Sequence, residues 1–394
     1  MSGPLDGIRV LDFTQWQQGA HATAMLGDMG AEVIKVEPRL TGEPARGWGM
    51  RQAFNGFFQA HNRSKKSITL DLKKDKGKEI IYRLVERVDV VAENFRPGVM
   101  DRLGFDYESL SRINPRLIYA TASGFGPRGP MRDWPAFDIV GQAMGGMMVA
   151  NGEPGGEPRQ VRATPVADQV GAMVLAYGIV LALLARERVG IGQQLDVSLL
   201  GTQIALQPAA YTRRLQAVQP PPPAVRRVGS TYNYYKTGDD NKWIAVAALE
   251  ERRWPAFCQA LGMPNLKDDP KFAEPAKRAE HWEELLEIAR STFASKTREE
   301  WLQILYEHDI PCGPVYGYDE VAADPQVAAN GYLVTVEHPA HGPIQMAGIP
   351  VQLNKTSGKV ERLAPDLGQH TEEVLLELGY TTQQIAELRE QEVV

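Results

Sequence analysis

Residues 8–37 read IRVLDFTQWQQGAHATAMLGDMGAEVIKVE. Ile8–Phe13 is an apolar run of strand length. Ala20–Met29 is made of helix-forming residues and is closed by Gly30. Glu32–Glu37 is a second strand. Strand, helix and strand within about 30 residues make a βαβ unit. The pattern continues outward. Asp75–Arg87 reads as a helix, with Asp75 as N-cap and Ile80, Ile81, Leu84 and Val85 on one face. Val88–Ala92 is a strand, Tyr107–Ile113 a short helix, and Leu117–Ser123 another strand. This alternation predicts an α/β fold, with a mostly parallel sheet covered by helices on both faces. Asp168–Val189 is a long helix whose apolar positions nearly surround it, which predicts a central, buried element rather than a membrane span. Gln193–Leu200 reads as a strand or the start of a further helix.

The composition then changes. Gln219–Pro223 is QPPPP, a stiff polyproline segment. Residues 203–227 read as a linker. Beyond it, Tyr232–Tyr235 and Trp243–Ala248 look like strands of a new unit, followed by helices at Glu251–Leu261, His281–Ser295 and Arg298–His308. Ile310–Val315 reads as a turn into a loop. Val334–His338 and Ile344–Ala347 are strand-like, and amphipathic helices lie at Thr371–Leu378 and Thr382–Glu390.

With 394 residues the chain has room for two or three domains. Its net charge of −6 argues against a general nucleic-acid binder, which needs a basic field. The two cysteines, Cys258 and Cys312, form no CxxC and have no clustered histidines beside them, so neither a disulfide framework nor a zinc site is expected. The N-terminus lacks a basic n-region and a long apolar h-region. A cytoplasmic protein with no membrane partner is the expectation.

Several residues carry candidate chemistry. Gly124–Gly129 spells GxGxxG after a strand, but Pro127 and Pro130 interrupt the helix that a dinucleotide fingerprint requires. A ligand-binding glycine turn at a carboxyl strand end remains. Asp168 precedes the long apolar helix. It reads either as an N-cap or as a carboxylate nucleophile toward a thioester, held ionised by the helix-terminus amides. Arg96 and Arg102 lie after a strand and suit phosphate. Arg63, Lys65 and Lys66 read as a solvated basic face. Gln15, Trp16, Met144, Met147 and Tyr232 are candidates for an apolar acyl pocket or for core.

Taken in order, Leu5–Thr14, Leu26–Glu37, Asn62–Lys73, Glu93–Leu103, Asn114–Pro130, Gly190–Leu199, Ile310–Val315 and Ala364–Gly379 resemble the family III CoA-transferases, the CaiB/BaiF family. The resemblance runs from end to end. It implies a Rossmann-like large domain plus a smaller α+β domain, long linkers, and an interlocked homodimer. On that basis residues 1–202 form the first part of the large CoA-binding domain, 203–227 a linker, 228–315 the small domain, 316–332 a return linker, and 333–394 the part completing the large domain. It also implies Asp168 as the catalytic nucleophile, forming aspartyl anhydride and aspartyl-CoA intermediates, with Gln17 donating to developing oxyanions. Implied CoA contacts are Gln17, Gln18, Arg39, Leu70, Asp71, Leu72, Lys73, Asn94, Phe95, Arg96, Arg102 and the turn Ser123, Gly124, Phe125 and Gly126. Coenzyme A or acyl-CoA enters as substrate, with a carboxylic acid as acceptor. No permanently bound cofactor and no metal are implied. Partners are a second copy or a homologous subunit.

Two departures bear on this. Pro38 stands where formyl-CoA transferase has an arginine, with Arg39 beside it as substitute. No glycine run occurs between Val228 and Trp243, which makes oxalate a less favoured acceptor and leaves Gly229–Asn233 to shape the acyl pocket. Two other readings resemble nearby members. An α-methylacyl-CoA racemase would use a His–Asp pair, but Phe137 precedes Asp138 here. Glu250 resembles an acidic residue of those racemases. A non-catalytic CoA-binding subunit of a heteromeric transferase is the third reading.

Overall fold

The structure, a computed structural model, describes residues 3–47, 54–153, 155–216, 229–360 and 362–394. It divides into two compact units, residues 1–220 with 329–394, and residues 221–328. In the larger unit the first half alternates strand and helix. β1 (Arg9–Asp12), α1 (Gln18–Asp28) and β2 (Glu32–Glu37) are followed by α2 (Gly56–Asn62), β3 (Lys65–Thr69), α3 (Asp75–Val85) and β4 (Val90–Glu93). Then come α4 (Val99–Leu103), α5 (Tyr107–Ile113), β5 (Ile118–Ser123), α6 (Asp138–Met144), α7 (Met147–Asn151), α8 (Val166–Val189), β6 (Gln193–Ser198), α9 (Leu199–Ala205) and α10 (Pro208–Gln216).

The six strands form one parallel sheet in the order β3-β2-β1-β4-β5-β6. The order reverses at β1, so a crevice opens where the chain leaves β1 and β4 at their carboxyl ends. In β1, Leu11 lies between Ile34 and Val91. Because strand side chains alternate, one face collects Leu11, Ile34 and Val91 against Ile80, Ile81 and Leu84 of α3. The other collects Val10, Val33 and Val90 against Ala22 and Leu26 of α1 and Leu175 and Ile179 of α8.

The predicted strands and helices of this half hold to within a few residues, while other readings change. Lys74, not Asp75, is the N-cap of α3. Residues 203–216, read as linker, continue through α9 and α10. The polyproline segment lies outside the described residues. Helix α8 is long and apolar enough to cross a membrane by length and composition. Only one of its sides is buried, by Ala172, Leu175 and Ile179, while Met173, Tyr177 and Leu184 are exposed on the other.

The basic cluster after α2 is corrected most. Arg63 and Lys65 are 4% and 2% exposed. Arg63 pairs with Asp28 at 2.8 Å and Lys65 with Asp12 at 2.9 Å. Buried charges of this kind are kept only where a partner and further hydrogen bonds replace water. Lys65 also donates to Ala20 O and Asn62 Oδ1.

The smaller unit contains β7 (Tyr232–Lys236), β8 (Trp243–Ala247), α11 (Trp254–Ala260), α12 (Pro275–Glu280), α13 (Trp282–Phe293), α14 (Arg298–Glu307), β9 (Cys312–Pro314) and α15 (Tyr318–Ala323). The strands form an antiparallel sheet in the order β7-β8-β9. Ile310–Val315, predicted as turn and loop, thus contains a strand. Tyr235, Trp254, Phe257, Phe293 and Trp301 fill the core beneath it. The stretch 316–332, read as a linker, holds α15 and α16 (Pro325–Ala329).

The remaining elements, β10 (Leu333–His338), β11 (Gly342–Ala347), α17 (Thr371–Glu377) and α18 (Thr382–Glu390), belong to the larger unit. Val374, Leu375 and Leu378, with Ile385 and Leu388 of α18, join the same apolar cluster as α3 and the sheet. The end of the chain therefore closes a core that its beginning opened.

Candidate active site

The carboxyl ends of β1, β4 and β5 border a cavity of about 260 Å3 in the larger unit. Gln15, Trp16, Gln17 and Gln18 reach it from the β1–α1 turn. Asn94, Phe95 and Arg96 come from the turn after β4, and Ser123 and Gly124 from the end of β5. Phe137 and Asp168 complete it. Eight of the predicted site residues, Asp168, Gln17, Gln18, Asn94, Phe95, Arg96, Ser123 and Gly124, thus line one space.

Asp168 is the third residue of α8, whose N-cap is Pro165. The capping role falls to a distant residue. Asp138, at the start of α6, accepts from the Ala167 N–H at 2.7 Å and stands 3.4 Å from the Asp168 N. Its other oxygen accepts from Gln142 Nε2 at 2.7 Å. The helix-terminus amides therefore serve Asp138 rather than holding Asp168 ionised. Burial, and after it the Asp138 carboxylate, push Asp168 up to about 7. Gly171, one turn along α8, lets Gln18 cross the helix: a Cβ there would come within 2.7 Å of Gln18 Nε2. Gln18 Nε2 donates to Val197 O at 3.1 Å. Gln17 is 3% exposed.

After β5 the chain turns rather than opening a helix, so the GxGxxG spelling marks no dinucleotide fingerprint. Ser123 Oγ accepts the Gly126 N–H at 3.0 Å and pairs with Asp196 at 2.9 Å. Gly126 lies at φ +92°, which favours glycine. Gly126, Ser123 and Arg96 also line a neighbouring cavity of about 360 Å3, with Glu93, Tyr119 and Asp196. Burial pushes Glu93 up to about 7.

The other predicted CoA contacts lie outside both cavity linings. Leu70 is 2% exposed and packs in the core, which leaves only its backbone for a ligand. Leu72 packs against the same core. Asp71 accepts from the Lys73 N–H at 3.0 Å. Arg39 pairs with Glu392 at 3.0 Å. Arg102 is exposed and Phe125 half-buried. Sequence reasoning missed the role of Asp138, although it singled out the Phe137–Asp138 pair. It also missed Trp134 and Leu199 in the lining. Among the described residues no group of three or more His, Cys, Asp and Glu side chains could hold a metal ion.

A parallel α/β sheet with a half-buried carboxylate and amide side chains at its switch point defines an enzyme-like site. The chain belongs to CoA-transferase family III, whose model matches residues 5–371. It is 37% identical to the acetyl-CoA:oxalate CoA-transferase of Acetobacter aceti over 91% of this chain and 92% of that one. It is 34% identical to the succinyl-CoA–D-citramalate CoA-transferase of Chloroflexus aurantiacus, covering 99% and 98%. Among solved structures, a CAIB/BAIF family protein from Brucella suis matches with a TM-score of 0.84 at 30% identity, covering 96% and 100% of the two chains. The protein is thus a CoA-transferase, and CoA thioesters are its substrates.

Proposed function

We propose that the protein moves CoA from an acyl-CoA donor to a carboxylic acid acceptor, with Asp168 as nucleophile. The carboxylate attacks the thioester carbonyl; a C–O bond forms, the C–S bond breaks, and CoA thiolate leaves. The thiolate then attacks the aspartyl carbonyl of the mixed anhydride, releasing the donor acid and giving aspartyl-CoA. The acceptor carboxylate reverses the sequence: it expels thiolate to form a second anhydride, which thiolate cleaves to the new acyl-CoA and free Asp168. Each step exchanges one activated acyl bond for another, so the thioester's energy is retained. The observation carrying this reading is the convergence of Asp168 and Gln17 on one cavity. Gln17 is the amide placed to donate to the oxyanions, and the turn residues Asn94–Arg96 and Ser123–Gly126 hold CoA.

The racemase alternative requires an imidazole beside the carboxylate. Phe137 stands there, and no histidine lines this cavity among the described residues. The larger unit has the strand order of dinucleotide-binding folds, and the exposed apolar side of α8 supports self-association as a homodimer. Relatives named for oxalate and D-citramalate direct the search for the acceptor to small di- and hydroxycarboxylates.

The test is a panel of acetyl-, formyl- and succinyl-CoA against free acids, with hydroxylamine added to trap intermediates. Wild-type protein gains a hydroxamate at Asp168, detected by mass spectrometry. Asp168→Ala retains CoA binding and loses transfer. An active enzyme with unmodified Asp168 overturns the assignment.

A further inference from the structure

Gln17 is delivered to the cavity by the segment Thr14–Gln17, which leaves the β ladder after its last bond, from the Phe13 N–H to the Ala92 carbonyl at 2.8 Å. Its backbone is held instead by side chains from three other places. Lys35 Nζ of β2 donates to the Thr14 carbonyl at 2.6 Å. The Asn94 amide accepts from the Gln15 N–H and donates to the Gln15 carbonyl, both at 2.8 Å. Glu43 Oε2 accepts the Trp16 N–H at 2.8 Å. Trp16 has φ 61°, a left-handed conformation that a bulky L-residue avoids unless its surroundings impose it. That turn brings the next residue, Gln17, to the cavity that Asp168 also lines, and sets the Trp16 ring edge-on to Phe137 with centroids 6.4 Å apart.

Glu43 is 1% exposed, and its second oxygen is equally committed. Oε1 accepts from Asn62 Nδ2 at 3.0 Å and lies 3.4 Å from Lys35 Nζ, itself fully buried. One carboxylate thus satisfies Trp16 on one side and a buried cation on the other.

We propose that Glu43 is a positioning residue for transfer, holding Trp16 in its left-handed conformation and so aiming Gln17 at the reacting carbonyl. The proposal rests on the reading of Asp168 and Gln17 given above. A carboxylate has two acceptor oxygens, whereas a carboxamide has one. In Glu43→Gln the single oxygen turns to the Lys35 cation, and the NH2 faces the Trp16 N–H, which loses its acceptor.

Two readouts test this on the full-length protein. Hydrogen exchange, read by mass spectrometry on peptides covering residues 13–19, should quicken in Glu43→Gln by about tenfold at that segment. With the fastest donor–acceptor pair of the panel, kcat should fall about tenfold, with KM for acyl-CoA nearly unchanged. The double variant Gln17→Ala, Glu43→Gln should be no slower than Gln17→Ala alone, because Glu43 acts through Gln17. Unchanged exchange in residues 13–19, or losses that multiply in the double variant, overturns the proposal. Should Glu43→Gln not fold, Glu43→Asp keeps the charge beside Lys35 while withdrawing the oxygen from Trp16, and is judged by the same readouts. Full activity in Gln17→Ala would remove the parent reading, and the exchange result would still decide whether Glu43 holds the turn.

Discussion

At the scale of one residue, the mechanism we propose turns on the protonation of Asp168. Burial and the Asp138 carboxylate push its carboxyl up to about 7, so below that pH the unliganded protein carries the neutral acid, which is no nucleophile. Transfer, followed as kcat/KM, should therefore rise with pH through about 7. Asp138→Asn removes the like charge and keeps an oxygen to accept the Ala167 N–H. The rising limb should then move to lower pH while burial still holds it above the ordinary aspartate range. An unmoved limb would show that Asp138 does not set it. Such a residue is invisible in single-residue reading: Asp138 and Asp168 are 30 positions apart, and only the packing of α6 on α8 makes them neighbours.

At the scale of elements, α17 and α18 contribute apolar side chains to the core built by α3 and the sheet. Leu375, 2% exposed, is one of them. Leu375→Ala should cost about 2–5 kcal/mol, read from the denaturant midpoint of the larger unit. A cost below about 1 kcal/mol would mean that α17 adds little to that core. The helices themselves were legible from their 3.6-residue spacing. β3 was not, because its leading residues, Lys65 and Lys66, read as a solvated face. Asp12 and Asp28, distant in sequence, make burial of Lys65 and Arg63 possible.

At the scale of the molecule, one side of α8 is left apolar and exposed in the single chain, through Met173, Tyr177 and Leu184. Sedimentation equilibrium at micromolar concentration should give the mass of a dimer, and Tyr177→Glu should shift it toward monomer. A monomeric wild type would remove that reading. Local periodicity was enough to write the alternation of strand and helix, and so the parallel α/β class. The ordered family segments were enough to name the reaction class. Both follow from patterns along the chain that need no knowledge of neighbours. Only the tertiary structure decided that α8 is capped by Asp138, that a basic cluster is buried, and that Glu43 and Lys35 clasp the turn carrying Gln17. Burial and pairing depend on which distant residues meet, and a buried carboxylate's charge state follows from that meeting rather than from its place in the chain.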